Sequence, residues 1–241
     1  MRCLGLDLLR VAAVLLVLIR HTELPDGLIS CLAPLQQGGW AGVDLFFVLS
    51  GFLVSSLLFK EFKKSGKVDI KRFLIRRGFK IYPPFWFLIF VTLFTSAVFN
   101  QLVHSRSVIG EILFIQNYTS SLWNHTWSLA VEEHFYFLLA GVIFWLCKGD
   151  GAKKLRLFPL FFFCVAALCL ILRIFNHHEN PDFSFKRHVY PTHLRIDSLL
   201  YGACLSYLVH FPSEKLTINR IPHWILVAAG LILFCPAFIW D

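Results

Sequence analysis

The chain has 241 residues, 57% hydrophobic and only 16% charged, with 26 Phe, 7 Trp and a formal net charge of +8. An average soluble domain carries roughly 25% charged residues, and here the apolar excess comes in long blocks. This composition excludes a soluble globular domain, makes nucleic acid an unsuitable partner, and predicts an all-α, polytopic transmembrane helix bundle whose partner is the lipid bilayer.

A hydrocarbon core of about 30 Å needs about 20 apolar residues per helix. Candidate spans in chain order are 4–19, 42–59, 81–99, 128–147, 155–175, 194–209 and 224–239, about seven in all. The first is short and interrupted by charge. The stretch 109–115 is apolar but too short to cross, and reads as an interfacial or re-entrant piece. With no internal repeat, Gly/Ser linker or low-complexity tract, residues 1–241 read as one domain. Arg2, Arg10 and the apolar run 11–19 imitate a signal peptide, but no small-residue cleavage site follows closely and further spans do. The seven cysteines are an odd number with no CxxC, and no His pair has a metal-helix spacing backed by a third ligand, so neither disulfides nor a metal site are expected.

Lys60, Lys63, Lys64, Lys67, Lys71, Arg72, Arg76, Arg77 and Lys80 all fall between the second and third spans. Lys148, Lys153, Lys154 and Arg156 follow the fourth, and Lys215 and Arg220 the sixth. The alternate loops hold few cations. Lys and Arg accumulate on the cytoplasmic side, so the N-terminus is expected inside, and 21–37, 100–126 and 176–192 outside.

Within "LDLLRVAAVLLVLIRH", Arg10 and His21 are eleven residues apart. That is about three turns and ~16 Å, so they share a stripe. Asp7 falls close to it and Arg20 does not. Terminal charges that snorkel to the interface account for Arg20. They account poorly for Arg10, which has apolar residues on both sides. An ionisable residue inside a span points to function.

"WAGVDLFFVLSGFLVSSLLF" brings Asp44 in from the outer side, with Gly42, Ser50, Gly51, Ser55 and Ser56 suited to close helix packing. "KRFLIRRGFKIYPP" interleaves Lys71, Arg72, Arg76, Arg77 and Lys80 with Phe73, Leu74, Ile75 and Phe79. It is either a basic amphipathic helix on anionic lipid or a set of Arg forks for phosphate. "HTWSLAVEEHFYFLLA" enters from outside. Ser128, Glu132 and Tyr136 share a face at i, i+4, i+8, with Glu133 beside them. A cap at the helix N-terminus explains one carboxylate better than two. "THLRIDSLLYGA" adds Arg195 and Asp197, which neutralise each other or a neighbour. His21, Asp44, Glu132, Glu133, Arg195 and Asp197 thus converge on the outer side from four spans. Asn117-Tyr-Thr and Asn124-His-Thr read as outward glycosylation sequons, relevant only in a secretory-pathway host.

At these residues the sequence resembles the membrane-bound acyltransferase family 3, O-acetylases of cell-surface glycans. The stretches that carry the likeness are "LDLLRVAAVLLVLIRH", "GVDLFFVLSGFLVSSLL", "RFLIRRGFKIYP" and "HTWSLAVEEHFYFL", with "HLRIDSLLYGACL" a weaker fifth. Their order and spacing fit from residue 6 to about 210. Lys80 stands where the family commonly has Arg. The family's domain has about ten spans, so C-terminal helices are expected to be missing here.

The resemblance implies an enzyme of the bacterial inner membrane. It would pass an acyl group, commonly acetyl, from cytoplasmic acyl-CoA to a hydroxyl of an extracytoplasmic carbohydrate or glycolipid. Acyl-CoA is then a co-substrate and no cofactor is required. On this reading Arg72, Arg76 and Arg77, with Lys80, anchor CoA phosphates, and Arg10 holds the pantetheine or thioester. His21 is the general base, or carries the acyl group transiently. Glu132 or Glu133 orients the imidazole or binds the sugar, and Asp44, Trp127, Ser128, Arg195 and Asp197 serve the acceptor or the scaffold. A transporter would also bury charges along a path, without needing a phosphate-binding loop. A truncated, inactive homologue is the other alternative. A seven-span receptor would have its N-terminus outside.

Overall fold

The structure, a computed structural model, describes residues 4–22, 26–148, 154–211 and 230, with 26–31 by backbone alone. The expected span at 224–239 lies outside the described residues, apart from the single position 230. Among the described residues every regular element is helical. The order is α1 (Leu4–His21), α2 (Asp26–Gln37), α3 (Ala41–Ser65), α4 (Ile70–Val98), α5 (Ser105–Ile112), α6 (Trp127–Leu146), α7 (Phe158–Glu179), α8 (Phe185–His188) and α9 (Ile196–His210). Short 3₁₀ turns precede α3, α7 and α9.

Among the described residues, four stretches are long and apolar enough to cross a membrane: Leu32–Ser65, Ile70–Val98, Trp127–Leu146 and Leu155–Glu179. α1 carries Asp7, Arg10 and Arg20 within its 18 residues, and α9 has only 15. The exposed faces confirm the membrane character. Phe87, Phe90 and Phe94 on α4, and Phe163, Leu170 and Ile174 on α7, are each more than half exposed. Glu111, Glu132, Glu133 and Asp197 are buried. Apolar surface on that scale is tolerated against lipid, not water.

The described chain divides into two compact units, one of residues up to Ser56 and from Tyr201, the other Leu57–Leu200. In the first, small residues let backbones approach. A Cβ at Gly42 would lie 2.6 Å from the Ala13 carbonyl oxygen, and one at Gly39 equally close to that of Leu16. α1 therefore lies directly on the start of α3. Gly202 meets the Val48 carbonyl more closely still, and Ser56 and Ser206 share a hydrogen bond of 2.8 Å. The expected packing role of Gly42 and Ser56 is thereby met.

In the second unit, α4 runs 29 residues, ~43 Å at 1.5 Å per residue. The expected division into a basic loop and a span beginning at 81 is corrected: both are one helix. Asp69 starts it, its carboxylate accepting the Arg72 N–H at 2.9 Å, which satisfies one orphan donor of the first turn. Pro83 and Pro84 lie inside the same helix. The short apolar piece after α4 is the helix α5. It ends in a 6→1 bond, Ile115 N–H to Gly110 carbonyl at 2.8 Å, with a 5→2 bond inside it from Phe114 to Glu111 at 3.1 Å. That closure needs a left-handed residue, and Phe114 supplies it at φ 56°. A bulky residue there is strained. Its ring is buried with Phe85, Ile89 and Ala130.

Candidate active site

Arg72, Arg76 and Lys80 recur every four residues along α4, with Phe73 and Arg77 one position further round. Opposite them stand Leu57, Leu58 and Glu61 of α3, and together these residues line a cavity of about 300 Å³. Glu61 accepts the Asp69 N–H at 3.2 Å, tying the end of α3 to the start of α4. Phe73 and Leu58 are buried and give the cavity an apolar side. Four cations over such a wall suit a ligand with phosphates and an apolar portion.

The paired carboxylates lie on α6. Glu132 accepts the Tyr136 hydroxyl at 2.8 Å, so the polar stripe expected at i, i+4 exists. Ser128, at its start, donates to the His125 carbonyl at 3.3 Å. Glu133 does not act as a cap of the helix N-terminus. It instead accepts the Tyr82 hydroxyl of α4 at 3.0 Å, because α4 covers that side of α6. The Tyr82 ring is held between Trp86 and Phe114, with centroids at 5.4 and 5.2 Å. Arg77 places its guanidinium 5.4 Å from the Tyr136 ring centroid and within electrostatic reach of Glu133. Charge alone had sorted the basic run and the carboxylates to opposite sides. Arg77 joins them through Tyr136, because the basic run is the opening of a helix that lies along α6.

A second polar set fixes the start of α6. Glu111, fully buried, accepts the Leu122 N–H and the Thr126 hydroxyl, both at 2.9 Å. Burial pushes its carboxyl above the ordinary 4.5, against the opposing pull of those hydrogen bonds. Asn117 donates to Thr192 at 2.8 Å and to the Tyr190 carbonyl at 3.2 Å. It is 1% exposed, which removes it as a glycosylation acceptor; Asn124 is exposed. His134 Nδ1 meets the same Thr192 hydroxyl at 2.6 Å. Trp127 stacks on Tyr190 at 5.0 Å. Asp197 pairs with Arg173 of α7, and Arg173 also donates to the Leu194 carbonyl at 2.7 Å. Asp197 therefore takes the neighbour rather than Arg195. Half-buried Arg195 directly precedes α9.

His21, Arg10 and Asp44 belong to the other unit. α1 is continuous through His21, so the shared stripe of Arg10 and His21 stands. His21 is exposed, and Arg10 and Asp44 are half-buried. Arg20 does not snorkel. It donates to the last carbonyls of α2, Gln37 at 2.8 Å and Gln36 at 3.3 Å, a favourable end for a cation.

Sequence reasoning missed Tyr82, Glu111, His134, Thr192 and Arg173. Arg173 had a signal, as an ionisable residue within an apolar span. Glu111 had one too, as an acid beside a short apolar run. Tyr82 had none, because its partner lies 51 positions away.

O-acetyltransferase OatA of Staphylococcus aureus, in strains NCTC 8325 and COL, is 33% identical over 220 residues, covering 85% of this chain and 34% of that protein. A further protein of strain COL, provisionally named an O-acetyltransferase, is 31% identical over 252 residues, covering 95% of this chain and 39% of its own. The chain thus spans little more than a third of the length of these relatives. No solved structure is detectably similar. The model of the acyltransferase 3 family, described as an acyltransferase domain, matches residues 4–240, and the chain belongs to that family.

Proposed function

We propose that this chain is a membrane O-acyltransferase that moves an acyl group, acetyl in the first instance, from cytoplasmic acyl-CoA to a hydroxyl of a cell-surface carbohydrate or glycolipid. The observation that carries the donor side is the cavity ringed by Arg72, Arg76, Arg77 and Lys80 with an apolar wall. Arg forks match phosphate oxygens bidentately, and the apolar wall suits the remainder of a CoA. The names of the relatives support acetyl as the group and oxygen as its acceptor. The distribution of Lys and Arg supports a cytoplasmic N-terminus in the inner membrane of a bacterium.

In this mechanism Arg72, Arg76 and Arg77, with Lys80, hold the CoA phosphates, and Arg10 holds the pantetheine or thioester. His21 removes the proton of the acceptor hydroxyl as its oxygen attacks the thioester carbonyl, and the CoA thiolate leaves. An imidazole can both take up and give back a proton, which suits that role. In the two-step variant His21 itself takes the acyl group, releases the thiolate, and yields the group to the acceptor oxygen. Glu132 or Glu133 orients the imidazole or binds the acceptor, and the Arg77 guanidinium offsets the charge of Glu133.

The test uses the full chain in liposomes, supplied with labelled acetyl-CoA and a carbohydrate acceptor. Label in an ester on the acceptor, with release of CoA, is the expected result. Absence of CoA release alongside uptake of an unmodified solute would replace the enzyme with the transporter reading. Protease cleavage of an N-terminal tag in inverted vesicles but not in right-side-out cells is expected for the orientation.

A further inference from the structure

Arg72, Arg76 and Lys80 form one stripe of α4 along the cavity of about 300 Å³, and Arg77 lines the same cavity from one position further round. That turn of ~100° carries Arg77 towards α6. Its guanidinium carbon lies 5.4 Å from the centre of the Tyr136 ring, and it is within electrostatic reach of Glu133. Arg77 thus borders both the cavity and the carboxylates.

Neither end of this contact is closed. Among the described residues Arg77 makes no hydrogen bond and no ion pair, only its contact with the ring. Its N–H donors are therefore uncommitted, and a ring face is a weaker tether than a carboxylate. Glu133 is 3% exposed. Its Oε2 accepts the Tyr82 hydroxyl at 3.0 Å, while its Oε1 is buried with no hydrogen-bond partner. A buried acceptor left without a donor is costly. Arg77 can supply that donor, yet its other side faces a cavity lined by three further cations. A guanidinium forks onto a carboxylate as well as onto a phosphate. Glu133 and a phosphate are therefore competitors for one side chain.

We propose that Arg77 is shared between the bound donor and Glu133: with the cavity empty it turns to Glu133 Oε1, and donor phosphates draw it into the cavity and free that oxygen for the acceptor. Donor binding thereby changes the charge around the carboxylates without any helix having to move. The proposal rests on the reading of the cavity as the site of the CoA phosphates, and it adds the residue through which that site acts on α6. Such coupling is reciprocal. Whatever weakens the hold of Glu133 on Arg77 strengthens donor binding.

The experiment titrates CoA by calorimetry into the full chain in detergent. Glu133→Gln removes the competing charge and is expected to bind CoA about fivefold more tightly than wild type. In an Arg77→Ala background the same substitution is expected to leave CoA affinity unchanged. Tyr82→Phe removes the other hydrogen bond of Glu133 but keeps its charge, and is expected to bind CoA no more tightly than wild type. Loosened packing around Glu133 would not improve affinity, so the gain is one that a merely structural role does not produce. Glu133→Asp keeps the charge and draws it back from Arg77 by one methylene. It carries the test where Glu133→Gln does not fold, with binding about twofold tighter expected. CoA affinity that rises in no folded Glu133 variant overturns the proposal. So does an equal rise in the Arg77→Ala background, which would mark a long-range field rather than a shared side chain, and so does tightening by Tyr82→Phe. Failure of wild type to bind CoA at all overturns the donor reading of the cavity itself.

Discussion

The two units hold their polar groups in place by opposite means. The unit containing His21 relies on missing side chains: Gly39, Gly42 and Gly202 each admit a neighbouring carbonyl where a Cβ would collide. The unit containing the carboxylates relies on side chains that are present. Tyr82 holds Glu133, Tyr136 holds Glu132, Arg173 holds Asp197, and Glu111 holds Thr126. One unit is therefore sensitive to added atoms, the other to lost hydrogen bonds. In hydrocarbon there is no hydrophobic drive between helices, so close backbone contact and polar pairing are the two means available.

The sharpest way to break this contrast is Gly202→Ala. Overpacking usually costs about 1–3 kcal/mol, and the Val48 carbonyl cannot retreat without disturbing α3, so a loss of about 3 kcal/mol is expected in thermal or denaturant unfolding. A variant as stable as wild type would show that the first unit does not depend on close approach.

On the other side, Arg76→Ala with Arg77→Ala removes two guanidinium groups. Each charge-assisted hydrogen bond is worth about 1.5–3 kcal/mol. Acyl-CoA affinity is expected to fall about a hundredfold, and what remains should depend less steeply on salt. Unchanged affinity and salt dependence would make the basic stripe a lipid-facing surface.

Glu132→Gln and Glu133→Gln refine the comparison within one helix. Glu132 shares its stripe with Ser128 and Tyr136, whereas Glu133 is committed to Tyr82 across to α4. Glu132→Gln is expected to cut turnover about tenfold with little change in stability. Loss of the Tyr82 contact, by Tyr82→Phe, is expected to cost about 1–2 kcal/mol, and Glu133→Gln to affect stability more than turnover. Side-by-side melting and turnover measurements would expose a reversed order.

The smallest effect concerns pH. Burial raises the Glu111 pKa, so the folded protein favours the neutral acid. The corresponding stability is fully present below the ordinary value of 4.5 and is lost as pH rises through the raised folded value. Glu111→Gln has no proton to lose. The Tm of wild type relative to this variant should decline as pH rises from 4 towards neutral. A wild-type advantage that grows with pH would show that the hydrogen bonds from Leu122 and Thr126 outweigh burial.

What was legible in the sequence follows from the range of each interaction. The Ser128, Glu132, Tyr136 stripe is a property of one helix, and periodicity found it. The stripe shared by Arg10 and His21 is likewise local. Hydropathy places the start of α4 too late, because the cations of 71–80 lower the hydropathy of a segment whose helical pattern is continuous from its Asp69 cap. Tyr82 with Glu133 and Asn117 with Thr192 join distant positions. A residue period gives a face, but not which helix meets it. Arg20 looked like a snorkelling terminal charge because nothing local showed that Gly39 would bring the α2 carbonyls to it.

His21 carries the proposed chemistry most directly. Its test is the rate of acetyl transfer from acetyl-CoA to a carbohydrate hydroxyl by the full chain in liposomes, for wild type and for a folded, inserted His21→Ala variant. General-base catalysis contributes about 10²–10⁴-fold. A fall of at least about a hundredfold is expected, with acetyl-CoA affinity retained. Transfer by His21→Ala at the wild-type rate would contradict it.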